Sequence, residues 1–401
     1  DPNPSTRKIM QAYVESSSFP NNLPFPHPSV PTNNEFSLTS NCLTSRLAFG
    51  TAGLRAPFGA GYDKMNDLTV LQTAQGLLKY LSSPLNNSSI EKLKTQGIVI
   101  GYDHRETTSP SPYNLSSLRF AHLTANVFNQ YDIPVYLYKE LVATPLVPFA
   151  VTHLGCAAGI MVTASHNPKN DDGYKVYWSN GSQIISPHDK NISESILHNL
   201  EPWINYENVS SEDIISRETD HLSGLYFEKL KSLSFYQADN KSIDNKVTYT
   251  AMHGVGHVYT SQSFKAFGLN PYIQVKEQIN PDPAFPTVPF PNPEEGKGAL
   301  KLAIETAEAN NSSFIIANDP DADRLAVAEK SPHTKTWKIF TGNEIGAILG
   351  YWQFINNKSS TKPIAMLAST VSSKFLRAVA KKEGFLFEET LTGFKWMGNR
   401  S

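Results

Sequence analysis

Short apolar runs alternate with segments of helical period along the first half of the chain. Three runs have the length and composition of buried strands: residues 98–100, 134–138 and 159–162. Between the first two, residues 117–128 carry Phe120, Leu123 and Val127 at roughly helical spacing. A strand, a helix and a strand in this order predict parallel βαβ units with helices covering the sheet.

The same pattern begins again twice further along the chain. The later strand-like and helix-like segments are residues 247–250, 263–267, 314–317, 363–367 and 371–383. In the last helix, Ser369 or Thr370 would cap the amino end, and Gly384 would stop the carboxyl end. We therefore predict an α/β protein built from consecutive domains with mixed, mostly parallel sheets.

Polar and proline-rich stretches separate these units. Residues 205–220 are polar and lack a sustained apolar period, which is typical of a linker. Residues 281–293 contain six prolines, which excludes a helix or a central strand and predicts a long loop. Residues 331–337 are typical of a hairpin or a boundary. The predicted domains, of which the third looks incomplete, are residues 1–210, 211–338 and 339–401.

The composition narrows the class of protein. The net charge of −2 argues against a nucleic-acid-binding protein, which usually carries a basic excess. No apolar segment approaches the roughly 20 residues that span a bilayer, so we expect no membrane partner. The two cysteines, Cys42 and Cys156, have no metal-ligand spacing and form no disulfide framework, which predicts a cytoplasmic protein.

The hexapeptide TASHNP, at residues 163–168, places Ser165 where the buried run 158–162 ends. Ligands of α/β sheets bind at the carboxyl ends of strands. His166 supplies a proton-transfer group, and Lys175 follows on a returning strand. No Gly-x-Ser-x-Gly elbow occurs, so a serine hydrolase is not indicated. Two interpretations of Ser165 stay open. It forms a turn or caps a helix, or it carries a phosphoryl group, whose charge of about −1.5 to −2 needs nearby cations for balance.

Shortly after the apolar run 314–317, aspartates occupy every second position, at Asp319, Asp321 and Asp323. Carboxylates this close repel one another unless a cation is bound. Oxygen ligands without a nearby His or Cys favour Mg²⁺ over zinc, and Arg324 beside them is suited to bind a phosphate bidentately. A solvated acidic loop is the alternative interpretation.

Three further segments are weaker candidates. Residues 49–55 form either a simple glycine turn or a close backbone approach that delivers Arg55 to an anion. Residues 392–396 form either a polar loop or a sugar-contacting loop. His253 and His257 are four residues apart, but the glycines between them disfavour the helix that would bring both to one metal.

These motifs, in this order, resemble those of the α-D-phosphohexomutase superfamily. Residues 163–168 are similar to its phosphoserine loop, and residues 319–324 are similar to its metal loop. Residues 49–55 resemble its catalytic-arginine segment, and residues 392–396 resemble its sugar-recognition loop.

The detailed sequence of these loops is most similar to the phosphoglucomutase-2/phosphopentomutase branch of the superfamily. Pro320 stands where most members have glycine, and residues 293–298 and 390–399 also match this branch. The resemblance implies phosphohexomutase-type domains around a central cleft. It also implies a fourth, phosphate-binding domain, so we expect this chain to be part of a longer protein.

The resemblance implies a phosphosugar mutase that moves a phosphoryl group between C1 and C5 or C6 of pentose or hexose phosphates. A phosphoserine enzyme and a sugar bisphosphate would be the intermediates. Mg²⁺ and glucose 1,6-bisphosphate are the implied cofactor and activator. The implied partners are small-molecule sugar phosphates, and we expect a monomer or weak dimer.

The resemblance also implies roles for individual residues. The catalytic residues would be Ser165, His166, Lys175 and Arg55. The Mg²⁺ ligands would be phosphorylated Ser165, Asp319, Asp321 and Asp323. The substrate contacts would be Arg55, Asp323, Arg324, Thr392, Gly393, Phe394 and Lys395. The sequence does not choose between His166 and Lys175 as the general base. His104 and Arg105 would lie behind the reacting groups and support them without contacting the substrate.

Two other functions share these motifs. A glucose 1,6-bisphosphate synthase would use an acyl phosphate to phosphorylate sugar monophosphates. A non-catalytic regulator would bind sugar phosphates without needing a phosphate acceptor, so the presence of Ser165 and the three aspartates argues against it.

Overall fold

The structure is a computed structural model that describes residues 7, 8, 11, 45–50, 53–108, 111, 113–204, 214–295, 298–358 and 362–401. The described residues form two compact units, the first ending at residue 221 and including 282–284, and the second holding the rest. Cys42 and residues 205–213 of the predicted linker lie outside the described residues. The division into three domains stays a prediction.

The first unit is built on a five-stranded mixed sheet. Its strands are β1 (Leu54–Pro57), β2 (Ile98–Tyr102), β3 (Val135–Leu137), β4 (Ala158–Val162) and β5 (Asp171–Trp178). Their order is β1-β5-β4-β2-β3. Strands β3, β2 and β4 are parallel, whereas β5 pairs antiparallel with both β4 and β1. The predicted βαβ order is confirmed, and β5 is the returning strand predicted to carry Lys175.

Helices cover both faces of this sheet. They are α1 (Asp67–Leu81), α2 (Ile90–Gln96), α3 (Ser117–Asn129), α4 (Leu146–Leu154) and α5 (His188–Leu197), with a 3-10 turn at Pro84–Asn86. Phe120 of α3 and Leu77 of α1 are fully buried in one core with Ile100 of β2. Each such side chain stabilises the fold by about 1.5–3 kcal/mol through the apolar surface removed from water. Helix α4 lies on the opposite face, where Val151 closely approaches Gly159.

The second unit repeats this strand pattern. Its strands are β6 (Val247–Thr250), β7 (Ile273–Gln274), β8 (Phe314–Asn318), β9 (Leu325–Lys330) and β10 (Trp337–Ile339), in the order β10-β9-β8-β6-β7. Its helices are α6 (Asp220–Lys231), which begins two residues before the boundary between the units, α7 (Gln237–Asn240), α8 (Gly256–Phe267) and α9 (Lys301–Ala309). Strands β7, β6 and β8 are parallel, and β9 is antiparallel to β8 and β10. Strand β8 therefore corresponds to β4, and β9 corresponds to β5.

The carboxyl-terminal residues of the second unit form a further strand–helix–strand pass. Its elements are α10 (Gly342–Asn357), β11 (Ala365–Ser369), α11 (Phe375–Glu383), β12 (Leu386–Thr390) and α12 (Phe394–Arg400), and the two strands are parallel. Helix α11 ends at Gly384 as predicted, but the predicted start near residue 371 was wrong. The Ser373 N–H donates to Asn343 Oδ1 of α10 at 2.7 Å, so a tertiary contact holds the segment before Phe375 in a turn.

Two of the three predicted connections are confirmed, whereas most of the first, residues 205–220, lies outside the described residues. Between residue 281 and the 3-10 turn at Pro293–Glu295 the chain forms no helix or strand, and residues 331–336 join the antiparallel strands β9 and β10 as a hairpin. In the part of the chain that the structure describes, we find no helix whose length and apolar character would let it cross a bilayer.

Candidate active site

Ser165 lies in the loop between β4 and β5, at the carboxyl end of the parallel strands. Its backbone φ of 54° is in the left-handed region, which is uncommon for a residue with a Cβ. Its N–H donates to Thr163 Oγ1 at 2.8 Å, and its Oγ lies 3.2 Å from Nδ1 of His166. The residue is 2 % exposed. The loop therefore holds the hydroxyl in a constrained conformation beside an imidazole, an arrangement found at functional sites.

Strand β5 passes very close to this loop. The Thr163 N–H donates to the Gly173 carbonyl at 3.0 Å, and a Cβ on Gly173 would lie 2.5 Å from the Thr163 carbonyl oxygen. Any larger residue at position 173 would thus push the loop away from the strand. Lys175 follows two residues later, buried, and opposite Met161 of β4. The structure therefore places Lys175 on the strand adjoining the Ser165 loop.

Strand β1 brings Arg55 to the same loop. Gly50 and Gly53 exchange two backbone hydrogen bonds of 2.9 Å, and β1 begins directly afterwards. Arg55 pairs with Gly173 of β5, and its Nη1 donates to Oδ1 of Asn167 at 2.9 Å. The exposed guanidinium of Arg55 therefore lies at the rim of the loop, as the anion-binding interpretation requires. Thr51 and Ala52 of this motif lie outside the described residues.

Arg105 lies behind the loop and is buried. Its two terminal nitrogens donate four hydrogen bonds of 2.6–2.9 Å to backbone carbonyls, which belong to Ser165, Asn167, Pro168 and Asp171. The sequence interpretation placed Arg105 behind the reacting groups, but it missed these acceptors. They are backbone atoms about 60 positions away, which leave no mark on the pattern of side chains.

A buried group of polar side chains, which the sequence interpretation missed, surrounds Arg105. Asp103 Oδ2 accepts a hydrogen bond from Thr163 Oγ1 at 2.6 Å, and its Oδ1 accepts one from Ser117 Oγ at 2.7 Å. Ser117 Oγ also lies 3.1 Å from Oδ2 of the fully buried Asp172. The pKa of Asp172 is raised well above its ordinary value, mainly because the carboxyl group is buried and also because the Asp103 carboxylate is nearby.

The aspartate loop joins β8 to β9 and corresponds in position to the Ser165 loop of the first unit. One carboxylate oxygen from each of Asp319, Asp321 and Asp323 lies within 4.8 Å of the others. The first two residues are fully buried and the third is exposed. Three carboxylates at this spacing, without nitrogen or sulfur ligands, fit a hard divalent cation such as Mg²⁺.

Backbone contacts hold the aspartate loop in shape. Ala322 has a φ of 56°, and its N–H donates to the Asp319 carbonyl at 2.9 Å. The Arg324 N–H donates to Asp319 Oδ1 at 2.9 Å. Asn318 Nδ2 donates to the Arg324 carbonyl at 2.6 Å, which closes the loop across its base. The Arg324 side chain is about one-third exposed and lies 3.5 Å from Glu294.

The turn before α8 packs directly on this loop. The Val255 N–H donates to the Pro320 carbonyl at 2.8 Å, and a Cβ on Gly254 would overlap the Pro320 backbone. The two histidines of this segment contact different partners. His253 Nε2 lies 2.7 Å from Thr287 Oγ1, and His257 Nδ1 lies 2.8 Å from the Tyr272 hydroxyl.

The predicted sugar-contacting segment is partly helical. Gly393, with a φ of 113°, is the N-cap of α12, and Phe394 and Lys395 form its first turn. Only Leu391, Thr392 and Gly393 connect β12 to this helix. The Phe394 side chain is 70 % exposed, so its ring is accessible on the surface of the second unit.

The structure thus gathers the predicted residues into local groups. In the first unit, Ser165 and His166 share a loop that Arg55 contacts and that adjoins the strand of Lys175. In the second unit, the three aspartates and Arg324 share one loop.

Comparison with known proteins gives matches along most of the chain. Residues 46–202 match the phosphoglucomutase/phosphomannomutase α/β/α domain I, and residues 225–332 match the α/β/α domain II of the same family. The chain is 51 % identical over 369 residues to the phosphopentomutase of Homo sapiens, covering 90 % of this chain and 59 % of the relative. It is 48 % identical over 367 residues to the human glucose 1,6-bisphosphate synthase, covering 89 % of this chain and 58 % of that protein.

A solved structure shows the same fold. It is a phosphoglucomutase/phosphomannomutase family protein from Burkholderia thailandensis, with a TM-score of 0.63 and 17 % identity, covering 86 % of this chain and 66 % of that one. This chain spans less than two-thirds of the length of the two human relatives. The two domain matches, one in each compact unit, carry the assignment. The chain belongs to the phosphoglucomutase/phosphomannomutase family of the α-D-phosphohexomutase superfamily.

Proposed function

We propose that this protein is a phosphosugar mutase that isomerises ribose 1-phosphate and ribose 5-phosphate, with glucose phosphates as further substrates. The observation that carries the proposal is the buried, left-handed Ser165 with its Oγ 3.2 Å from His166 Nδ1. The choice of pentose rests on relatives named phosphopentomutase and phosphoribomutase, which are 51 % and 42 % identical to this chain.

In the proposed reaction, phosphorylated Ser165 donates its phosphoryl group to a free hydroxyl of a sugar monophosphate. The serine O–P bond breaks, a sugar O–P bond forms, and a base takes the proton of the sugar hydroxyl while the serine oxygen regains one. The sugar bisphosphate then turns around and returns its other phosphoryl group to Ser165. No net oxidation or hydrolysis occurs, and the enzyme ends phosphorylated as it began.

The side chains of the Ser165 loop suit this transfer. His166 is supported as the base because its Nδ1 already lies at hydrogen-bond distance from the oxygen that gains and loses the phosphoryl group. Arg55, at the rim of the loop, and Lys175, on the adjoining strand, would balance the charge of the phosphoryl group. Asp319, Asp321 and Asp323 would hold a Mg²⁺ ion, which supplies further neutralisation of that charge.

The test is Ser165→Ala in the full-length protein, assayed on ribose 1-phosphate with glucose 1,6-bisphosphate as activator. We expect ribose 5-phosphate formation and phosphorylation of residue 165, measured by mass spectrometry, both to disappear. The matched control is Ser195→Ala in the same unit, where the lost hydroxyl donates to the Gly76 carbonyl. Turnover that survives in Ser165→Ala would reject the proposal.

A second candidate is a glucose 1,6-bisphosphate synthase, which the 48 % identity to the human enzyme of that name favours. The two functions differ in the phosphoryl donor. Bisphosphate formation driven by 1,3-bisphosphoglycerate, faster than isomerisation of either sugar monophosphate, would favour the synthase.

A further inference from the structure

We propose that Arg105 is a positioning residue: its guanidinium fixes the backbone of the Ser165 loop and so sets the rate at which Ser165 gains and loses a phosphoryl group. This inference rests on the proposed mutase function. Arg105 is 1 % exposed, so it acts through the loop and does not contact the sugar phosphate.

The hydrogen bonds of Arg105 span the whole turn of the loop. One terminal nitrogen donates to the carbonyls of Ser165 and Asn167 at 2.6 and 2.8 Å, and the other donates to those of Pro168 and Asp171 at 2.9 Å each. Four donors in one plane match four acceptors, which only the guanidinium fork provides. A lysine ammonium has three donors in a tetrahedral arrangement and cannot replace it.

One of these bonds reaches the reactive residue itself. Arg105 donates a hydrogen bond to the carbonyl of Ser165, and the N–H of Ser165 donates one to Thr163 Oγ1. Hydrogen bonds therefore hold both the N–H and the carbonyl of a residue in the left-handed conformation. A left-handed conformation of a non-glycine residue persists only when the surrounding structure holds it. Loss of these hydrogen bonds would therefore let the Ser165 hydroxyl move from its position.

Asp103 anchors Arg105 to the sheet. The two side chains are fully buried, with Nε of Arg105 3.3 Å from Oδ2 of Asp103, and the backbone N–H of Arg105 donates to Asp103 Oδ1 at 3.0 Å. Asp103 also holds Thr163 through a 2.6 Å hydrogen bond. Residues 103–105 follow β2, the parallel neighbour of β4, so the loop is bound to the rigid part of the sheet by two routes.

The inference is tested by Arg105→Lys in the full-length protein, with Arg119→Lys as the matched control. Arg119 is a partly buried arginine of the same unit whose hydrogen bonds run to Asp67 at 2.6–2.9 Å. The readouts are the rate of Ser165 phosphorylation by glucose 1,6-bisphosphate in a quenched reaction, and kcat and KM for ribose 1-phosphate. We expect Arg105→Lys to lower the phosphorylation rate and kcat by about 100-fold, with KM nearly unchanged, because a displaced nucleophile loses orientation and not binding.

A second arm uses chemical rescue. Arg105→Ala is assayed with and without millimolar guanidinium ion, which should refill the site and raise the phosphorylation rate at least tenfold. The same ion should leave Arg119→Ala unchanged.

The outcomes distinguish failure of the positioning role of Arg105 from failure of the proposed mutase function. If wild-type protein gains no phosphoryl group at Ser165, the mutase function fails first and the inference fails with it. If wild-type protein is phosphorylated and Arg105→Lys matches Arg119→Lys, or if Arg105→Ala does not respond to guanidinium, the inference alone is overturned. Unfolding of Arg105→Lys in circular dichroism would also overturn it, because the arginine would then serve the fold as a whole.

Discussion

Asp172 is fully buried behind the Ser165 loop, where it shares one hydroxyl with a second carboxylate. Ser117 has a single hydroxyl hydrogen, yet its Oγ lies 2.7 Å from Asp103 and 3.1 Å from Asp172. A protonated Asp172 resolves this competition, because it donates to Ser117 while Ser117 donates to Asp103. Burial and the nearby Asp103 carboxylate raise the pKa of Asp172 in the folded protein, which favours this protonated form.

The raised pKa makes stability depend on pH in a defined direction. A folded-state pKa above the unfolded value of about 4 means that the folded state binds the proton more tightly. The contribution of Asp172 to stability is therefore complete below about pH 4 and is lost as pH rises through the folded-state pKa. In Asp172→Asn the amide donates to Ser117 at every pH, so we expect the free energy of unfolding to fall less as pH rises.

Urea denaturation at a series of pH values from about 4 upward measures this difference. Asp132→Asn, at a carboxylate that is 85 % exposed, is the control and should keep the wild-type slope. Equal slopes for Asp172→Asn and the wild type would show that Asp172 does not hold a proton in the folded state.

The Ser165 and aspartate loops occupy equivalent places in two sheets. Each loop ends a parallel strand and enters an antiparallel neighbour, β5 or β9, which allows a short connection where a parallel neighbour would need a crossover. Both loops contain a non-glycine residue with positive φ, Ser165 or Ala322. A loop at the carboxyl end of a parallel strand therefore carries the candidate site residues in both units.

The aspartate loop depends on the close approach of Gly254. We expect Gly254→Ala to weaken Mg²⁺ binding by about 10- to 100-fold, because the new Cβ displaces the Pro320 backbone and with it the carboxylates. Titration calorimetry with MgCl₂ measures the dissociation constant. Gly224→Ala is the control, since a Cβ there meets no atom within 4 Å. Unchanged Mg²⁺ affinity in Gly254→Ala would show that the loop holds its shape without this contact.

The proposed reaction needs groups from both compact units, since Ser165 belongs to the first unit and the aspartates belong to the second. We therefore expect Asp321→Asn to slow phosphorylation of Ser165 by about 100- to 1000-fold, the cost of removing one group that stabilises transition-state charge. Quenched-reaction mass spectrometry at residue 165 measures the rate. Asp244→Asn, at an exposed carboxylate of the second unit, is the control. A normal rate in Asp321→Asn would assign the two loops to separate functions.

Several features near the candidate site were predictable from the sequence. Strands β4 and β8 were predicted because buried strands are continuous apolar runs, and β5 because an apolar segment followed soon after the Ser165 motif. The predicted start of α11 was wrong because the Ser373 N–H donates a hydrogen bond to Asn343, about 30 residues away, and not to a carbonyl within the helix. Local pattern carries no information about that acceptor.

The sequence by itself determined the α/β class, the serine and aspartate motifs, and the strand ends on which they lie, because these depend on the order of neighbouring residues. Only the tertiary structure decided that Arg55 reaches Asn167, that Arg105 holds four loop carbonyls, and that Asp172 is buried beside Asp103. Those contacts join residues that lie 60 to 112 positions apart. They form because the sheet places β1, β2, β4 and β5 side by side, an arrangement that chain folding, and not local spacing, creates.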